Sequence, residues 1–398
     1  MRKNNLLVAL TVVIITSFMT TPVDAQTDRE RDSNGKRTGQ TQVGQSNNSP
    51  EVLPSQPRCT GEGSITWGKL VIPKGESKRA VEIRKKVISY QQQIRNKVTK
   101  SMEVWINANP NATAQETAYR RRSGQERIEY KINKIYAENQ ARLKLKSWDW
   151  SKLLNVGAVL AQGRECNTCW AFAANSAVFS SLQKNYEENV PLFNYVFPDQ
   201  KTGELAPDMG LSSNLNAGRI PDPFVQDLLN CMPIEGDICN TGWHGNAFDF
   251  MVYNKGIPLA RDNNSENTNY LHRYIRGQKS ACSANGGFIK ATTWDYVNSP
   301  PDKLPTVARL KKALIEHGPL VAPIHYDQCL ENYKGGVFDE KNMKDISHAV
   351  LLIGWDDEKQ AWRVKNSWGE EWGEKGFAWI KYGSNNIGVF AAWVDAAI

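Results

Sequence analysis

The last fifth of the chain constrains its fold most. After Gly318 the apolar residues arrive in short runs, LVAPI, GGVF, HAVLLIGW, AWRVKNSW, GFAWIKY and GVFAAWV, separated by Gly, Asn, Asp and Ser. Runs this short, punctuated by turn formers, predict antiparallel strands rather than helices. Asp356–Gln360 (DDEKQ) between two of them predicts a hairpin turn. Upstream, Trp170–Gln183 (WAFAANSAVFSSLQ) is apolar on all sides and predicts a buried helix, and Thr306–His317 predicts a short amphipathic one. A helix-rich part followed by an antiparallel β part is an α+β arrangement.

The texture before Ser147 is different. Between Arg79 and Ala108, Val87, Tyr90, Ile94, Val98, Met102 and Trp105 recur at steps of three or four and mark one face of a helix that Pro110 ends. A second periodic stretch carries Ile128, Ile132, Ile135 and Tyr136. Gln26–Arg58 is polar, rich in Gly, Ser, Asn and Gln, and reads as a disordered linker. Met1–Ala25 has the form of a secretory signal: Arg2 and Lys3, the apolar run Leu6–Met19, then small residues at Val23-Asp24-Ala25. That run is too short for a confident membrane span. Export would place the chain in an oxidising compartment, where the seven cysteines pair by default and one is left over.

Charge follows the same boundary. Gln26–Lys146 holds 24 Lys and Arg against 12 Asp and Glu, net +12, whereas Ser147–Ile398 holds 23 against 29, net −6. The two segments attract each other. The basic residues are spread along helical patterns without interleaved aromatics, which does not suit a nucleic-acid-binding arm.

Three positions carry the chemistry. Cys169 stands at the start of the WAFAANSAVF helix, where the positive end of the helix lowers a thiol pKa. His348 opens the run HAVLLIGW, so a strand can hold its ring. Asn366, in KNSWGEEWG, has a side-chain oxygen that can fix the imidazole tautomer. Cys, His and Asn in that order supply a nucleophile, a base and an orienter. Taken alone, Cys166 and Cys169 also fit a disulfide or a redox CxxC, which would need neither the His nor the Asn motif. His244, His272, His317 and His325 have no such surroundings, and Trp372 reads as packing.

QGRECNTCWAF from Gln162, SHAVLLIGW from Ser347 and KNSWGEEWGEKGF from Lys365 together resemble the papain and cathepsin family of cysteine proteases. DW at Asp149, QDLLNC ending at Cys231, CNTG at Cys239, GP at Gly318 and YKGGVF from Tyr333 follow in family order. The resemblance covers about Ser147–Ile398. It implies a two-lobe α+β fold, with a helical left lobe, an antiparallel barrel-like right lobe and the cleft between them. By the same resemblance Cys169 is the attacking thiolate, His348 the imidazolium partner, Asn366 its orienter, and Gln162 a donor to the oxyanion beside the Cys169 amide. Trp368 resembles the indole that shields Asn and His, and Gly242 the glycine whose backbone binds extended substrate. Asp395 aligns with the floor of the main specificity pocket, where it would favour Arg or Lys, with Ile346 and Pro323 lining the same pocket. Cys166 resembles the partner of Cys239, and Cys231 that of Cys282. Phe390 stands where a third-bridge cysteine is common, which leaves Cys329 without that partner and makes Cys59 an alternative.

Departures are specific. Gln162 is one position farther from Cys169 than usual, so Arg164-Glu165 must bulge; Asn185–Ile220 is longer than usual by about thirty residues; Thr241 replaces a common glycine. The resulting expectation is a secreted monomeric zymogen: signal peptide 1–25, linker 26–58, basic inhibitory pro-region 59–146 and peptidase domain 147–398. It acts on peptide substrates and needs no metal or organic cofactor, nucleic acid or, after signal cleavage, membrane. The alternatives are a catalytically silent binding protein on the same fold and an acyl- or transglutaminase-like transferase.

Overall fold

Of the computed structural model, residues 70, 72–108, 110–111, 113–115, 134–154, 156–163, 166–187, 225–234, 237–240, 242–253, 257–258, 279, 281–282, 288–339 and 345–397 are described. They fall in one compact unit, Leu53–Ile398. The signal, the linker, Cys59, Ile128, Ile132, Arg164, Glu165, Thr241, His272 and nearly all of the 185–220 insertion lie outside the described residues.

The first helix, α1 (Glu76–Ala108), is the basic amphipathic one. Ala80, Ile83 and Val87 are buried along one face, at helical spacing. That face packs on strand β3 (Phe288–Tyr296). Residues 134–143 are also helical. The chain then enters the sheet through β1 (Ser147–Asp149) and a short 3-10 turn, Trp150–Lys152.

Helix α2 (Cys169–Glu187) is the axis of the domain. Every side chain from Cys169 to Leu182 is buried, as an all-round apolar sequence requires. One side meets the short helices α3 (Val225–Cys231) and α4 (His244–Tyr253); the other meets strands β6 (His348–Asp356) and β9 (Ala392–Ala397). Between them run β2 (Ile257–Pro258), α5 (Val307–His317), β4 (Leu320–Ile324), α6 (Gln328–Glu331), β5 (Val337–Phe338), β7 (Ala361–Lys365) and β8 (Phe377–Lys381). Helix α5 starts where the sequence predicts, with the Thr306 hydroxyl accepting from the Arg309 amide, and it stops at Gly318 in the left-handed region.

The strand order is β2-β3-β9-β4-β6-β7-β8-β5, with β1 added to β6. All pairs are antiparallel except β5 with β8. All six apolar runs after Gly318 contribute a strand. β6 is buried from His348 to Trp355, the pattern of a strand covered on both faces. The turn after it is set by Asp356, whose carboxylate accepts from the amides of Glu358 and Lys359. Gly354 is where β1 crosses: a Cβ there would sit 2.1 Å from the Trp148 carbonyl oxygen. The fold is therefore α+β, a helical side and a sheet side meeting along α2.

Candidate active site

The site forms where the N-terminus of α2 meets the start of β6. Two disulfides fix the helical side: Cys166–Cys239 closes a separation of 73 residues and Cys231–Cys282 one of 51, both as the resemblance implied. Loops of that length are worth on the order of 4 kcal/mol each in lost unfolded-state entropy. The first bridge, with the Asn167 amide donating to the Cys239 carbonyl at 2.8 Å, holds the segment before α2 against the one before α4. Cys169 is the free thiol among the described residues; Cys329 is disulfide-bonded, with its partner outside them.

Gly242 completes this side. Its φ of 150° lies outside the range most residues adopt, and a Cβ would fall 1.9 Å from the Trp170 ring. Only glycine lets the chain pass so close to the indole that follows Cys169.

On the sheet side, His348 Nε2 lies 2.8 Å from Asn366 Oδ1. The same oxygen accepts from the Ser367 amide at 2.8 Å, and a backbone N–H can only donate. The facing atom of Asn366 is therefore its carbonyl oxygen, Nε2 carries the proton, and the neutral ring keeps its lone pair on Nδ1. Trp368 stacks on the imidazole at 4.7 Å and 26°. Tyr326, which no motif singled out, lies 5.2 Å from Trp368 and 6.1 Å from His348. Trp372 packs edge-on to Trp368 and donates to the Leu330 carbonyl, which is the packing role expected of it.

Cys169 is wholly buried, and its thiol donates to Asn167 Oδ1 at 3.3 Å. The Ala349 backbone hydrogen-bonds its sulfur, so the nucleophile sits against the residue that follows His348. The expected low thiol pKa is corrected here. Burial pushes it up to about 12, and the hydrogen bonds from Ala349, Trp170 and its own amide only partly offset this. Burial also lowers His348 to about 4 against the pull of Asn366. The helix terminus acts in the expected direction, but desolvation of the charge is larger. In this state the pair is a neutral thiol and a neutral imidazole.

The N-terminal segment reaches the residue before His348. The Leu70 amide donates to the Ser347 carbonyl at 2.9 Å, directly before His348, and Leu70 is buried.

Gln162 is brought to the site but is held. Its Nε2 donates to the Cys166 carbonyl at 2.8 Å, and its Oε1 accepts from the Ser367 hydroxyl at 2.6 Å. One N–H of the amide remains for another acceptor. Ser367 thus ties Gln162 to Asn366, a link between two separate motifs that sequence does not reveal. Lys365 adds a third tie, donating to the carbonyls of Val156, Gly157 and Ala158.

Of the specificity residues, Ile346 is buried two positions before His348, and Pro323 pairs with Ala349 across β4 and β6. Asp395 is a correction. Its carboxylate pairs with His317 at 3.0 Å, and His317 stacks on Trp393. The next residue, Ala396, donates to Ser181 Oγ, about 18 Å along α2 from Cys169 at 1.5 Å per residue. β9 runs away from the cleft, so Asp395 closes the far end of the domain instead of flooring a pocket. Among the described residues no cluster of His, Cys, Asp and Glu is arranged to hold a metal.

Residues 223–395 match the model of the papain family cysteine proteases. Over these residues the chain is similar to the papain family. Among curated proteins it is similar to "Gamete and mating-type specific protein A" of Dictyostelium discoideum, 29% identical over 57% of this chain and 41% of that one. It is also similar to "Cathepsin J" of Mus musculus, 30% identical over 63% of this chain and 65% of that one. The chain thus spans between two fifths and two thirds of those relatives. Among solved structures it is similar to the bromelain protease from Ananas comosus in complex with the E64 inhibitor, with 23% identity, 63% of this chain and 98% of that one, and a TM-score of 0.44. Digestive procathepsin L 3 from the Tenebrio molitor larval midgut aligns with a TM-score of 0.43 at 24% identity, over 63% of this chain and 69% of that one. Cys169, His348 and Asn366, the residues that the resemblance marks for the chemistry, are all among those described.

Proposed function

We propose that the chain is the secreted precursor of a cysteine endopeptidase whose cleft is closed by its own N-terminal segment. The observation that carries the chemistry is the His348 Nε2 to Asn366 Oδ1 bond. It leaves Nδ1 as the ring's basic atom on the strand whose next residue touches the Cys169 sulfur. Once the cleft opens and is hydrated, Nδ1 takes the Cys169 proton, and the thiolate and imidazolium stabilise each other. The thiolate attacks a peptide carbonyl, and the Gln162 amide and the Cys169 N–H receive the oxyanion. The imidazolium gives its proton to the leaving amine, and water then hydrolyses the acyl-enzyme to regenerate the thiol. Trp368 keeps water from the Asn366–His348 bond.

Two disulfides suit an oxidising compartment. Among the described residues no helix is long and apolar enough to cross a membrane. The sequence order of a signal, a basic segment of net +12 and a domain of net −6 supports the precursor reading.

The pH dependence then follows from His348. A histidine whose pKa is lowered by burial favours the closed form above its exposed value and opposes it as pH falls toward the lowered one. Moving from 6.5 to about 4 weakens the closed form by about 3 kcal/mol. Acid therefore opens the cleft through the imidazole. The ion pairs of the N-terminal helix do not add to this through Asp295, whose pKa burial raises, because proton uptake there favours the closed state.

The test is covalent labelling by a thiol-directed epoxide peptide after incubation at about pH 4 to 5, read by intact mass, with Cys169→Ala as control. One label per chain, on a chain shortened to begin near Ser147 and absent from the control, is the expected result. A shortened, folded chain that takes no label would instead favour a silent binding protein.

A further inference from the structure

Helix α1 inserts one arginine into a socket built by the domain. Arg79 Nη2 lies 2.6 Å from Asp249 Oδ2 and donates to the Gly245 carbonyl at 3.1 Å, while Nη1 donates to Asn246 Oδ1 at 3.0 Å. Its guanidinium carbon stands 5.7 Å from the centre of the Trp294 ring. Trp294 Nε1 donates to the other Asp249 oxygen at 2.8 Å and so aims the carboxylate. Gly245 keeps the socket open: a Cβ there would be 2.9 Å from the Trp294 ring and 3.0 Å from the Tyr296 hydroxyl. Within α1 itself, Arg79 also pairs with both Glu76 oxygens at 2.9 Å.

The socket walls come from α4 and β3, not from the helix that fills them. A carboxylate, a carbonyl, a side-chain amide oxygen and an indole face together match a planar guanidinium and suit an ammonium poorly. The location matters as much as the chemistry. Gly245 is three residues from Gly242, which packs on the ring next to Cys169, so chain length alone bounds its distance from the candidate nucleophile at about 25 Å.

We propose that this socket is a guanidinium-binding subsite which α1 occupies in the precursor and vacates on processing, and that it then holds an arginine of a protein substrate. The proposal rests on the peptidase reading and adds a substrate feature to it. It replaces the preference for basic residues assigned to Asp395 with one carried by Asp249, Asn246, Gly245 and Trp294.

Two experiments test it. In the full-length Arg79→Ala chain the socket is empty while the fold is retained, and added N-acetylarginine amide is expected to raise the melting temperature where N-acetylcitrulline amide does not. That rise disappears when Asp249→Asn is added; the asparagine keeps an oxygen for Trp294 and loses only the charge. Equal response to the two amides, or a rise that survives Asp249→Asn, overturns the guanidinium socket. In the second, quenched peptides that differ only by arginine or citrulline, walked along the positions flanking the cut, are offered to the processed enzyme. At one position arginine is expected to raise kcat/KM about tenfold, and Asp249→Asn to bring that ratio close to one. A ratio of one at every position overturns the substrate role and leaves the socket as an anchor for α1 alone. Cleavage of no peptide overturns the peptidase reading and the substrate role together, and the melting experiment, which needs no catalysis, tells that failure from a missing socket.

Discussion

Two of the places where the N-terminal segment touches the domain treat polar groups in opposite ways. At the start of β6, among the described residues, a backbone bond joins Leu70 to Ser347, next to an imidazole that burial, like that of the Cys169 thiol, keeps uncharged. On the α4–β3 face, buried and half-exposed charged groups are matched: Glu76 accepts from the Tyr296 hydroxyl, Arg79 meets Asp249, and Arg84 meets Asp295 at 2.7 Å. The Trp243 indole in turn donates to the Tyr296 oxygen at 2.8 Å. The cleft is therefore held shut by keeping charge out, and the helix is held on by pairing charge. The first arrangement yields to acid, whereas the second yields to the loss of a partner.

The largest expected effect breaks the cleft side. Cys169→Ala removes the nucleophile, and hydrolysis by the processed enzyme is expected to fall by about 10⁴-fold or more. Asn366→Ala follows, with kcat lowered about a hundredfold and KM nearly unchanged, because the imidazole loses the acceptor that fixes its tautomer. Steady-state kinetics on a fluorogenic peptide would check both, and equal loss from kcat and KM would argue that Asn366 only supports the fold.

Acid separates the two regions directly. Conversion of the precursor is expected to accelerate up to about a hundredfold between pH 6.5 and 4, in step with protonation of His348. His348→Gln, followed by the exposure of α1 to limited proteolysis, should flatten that profile. An unchanged profile would move the trigger to the charged face. Tyr296→Phe acts on that other face: it removes the donor to the buried Glu76 carboxylate, which costs about 1 to 3 kcal/mol. The helix should loosen about tenfold or more at neutral pH in hydrogen exchange, while the acid dependence keeps its shape.

These regions also differ in how much of them the sequence reveals. The cleft residues sit in three short motifs, at the start of α2, at the start of β6 and just past the end of β7, elements whose apolar pattern is plain, so Cys169, His348, Asn366 and Trp368 can be read directly. Their titration cannot, since it depends on how deeply the assembled chain buries them. The links that unite the motifs, Ser367 to Gln162 and Lys365 to the 156–158 carbonyls, cross about 200 residues of chain and have no local signature. The helix-docking face is the extreme case. Periodicity predicts α1, and net charge predicts that it binds the domain, but Ala80 and Ile83 carry the packing while Glu76, Arg79 and Arg84 choose the partners. Asp295 and Tyr296 lie in β3, a strand that no motif marked.

Asp395 tests the weakest of the sequence readings and carries the smallest expected effect. Alignment by distance from Phe390 places it at a pocket floor, but strand register decides otherwise: β9 pairs with β3 from Ala392 to Ala397 and carries residue 395 toward the C-terminal end of α2. There it pairs with a partly exposed His317, an arrangement worth only about 0 to 1 kcal/mol at a surface. Asp395→Asn is therefore expected to change the arginine to citrulline ratio less than twofold at every substrate position and to lower the melting temperature by no more than a few degrees. A selective loss of cleavage at basic residues in this variant would return specificity to β9. If instead only Asp249→Asn removes it, the α4–β3 face is where this protein reads charge.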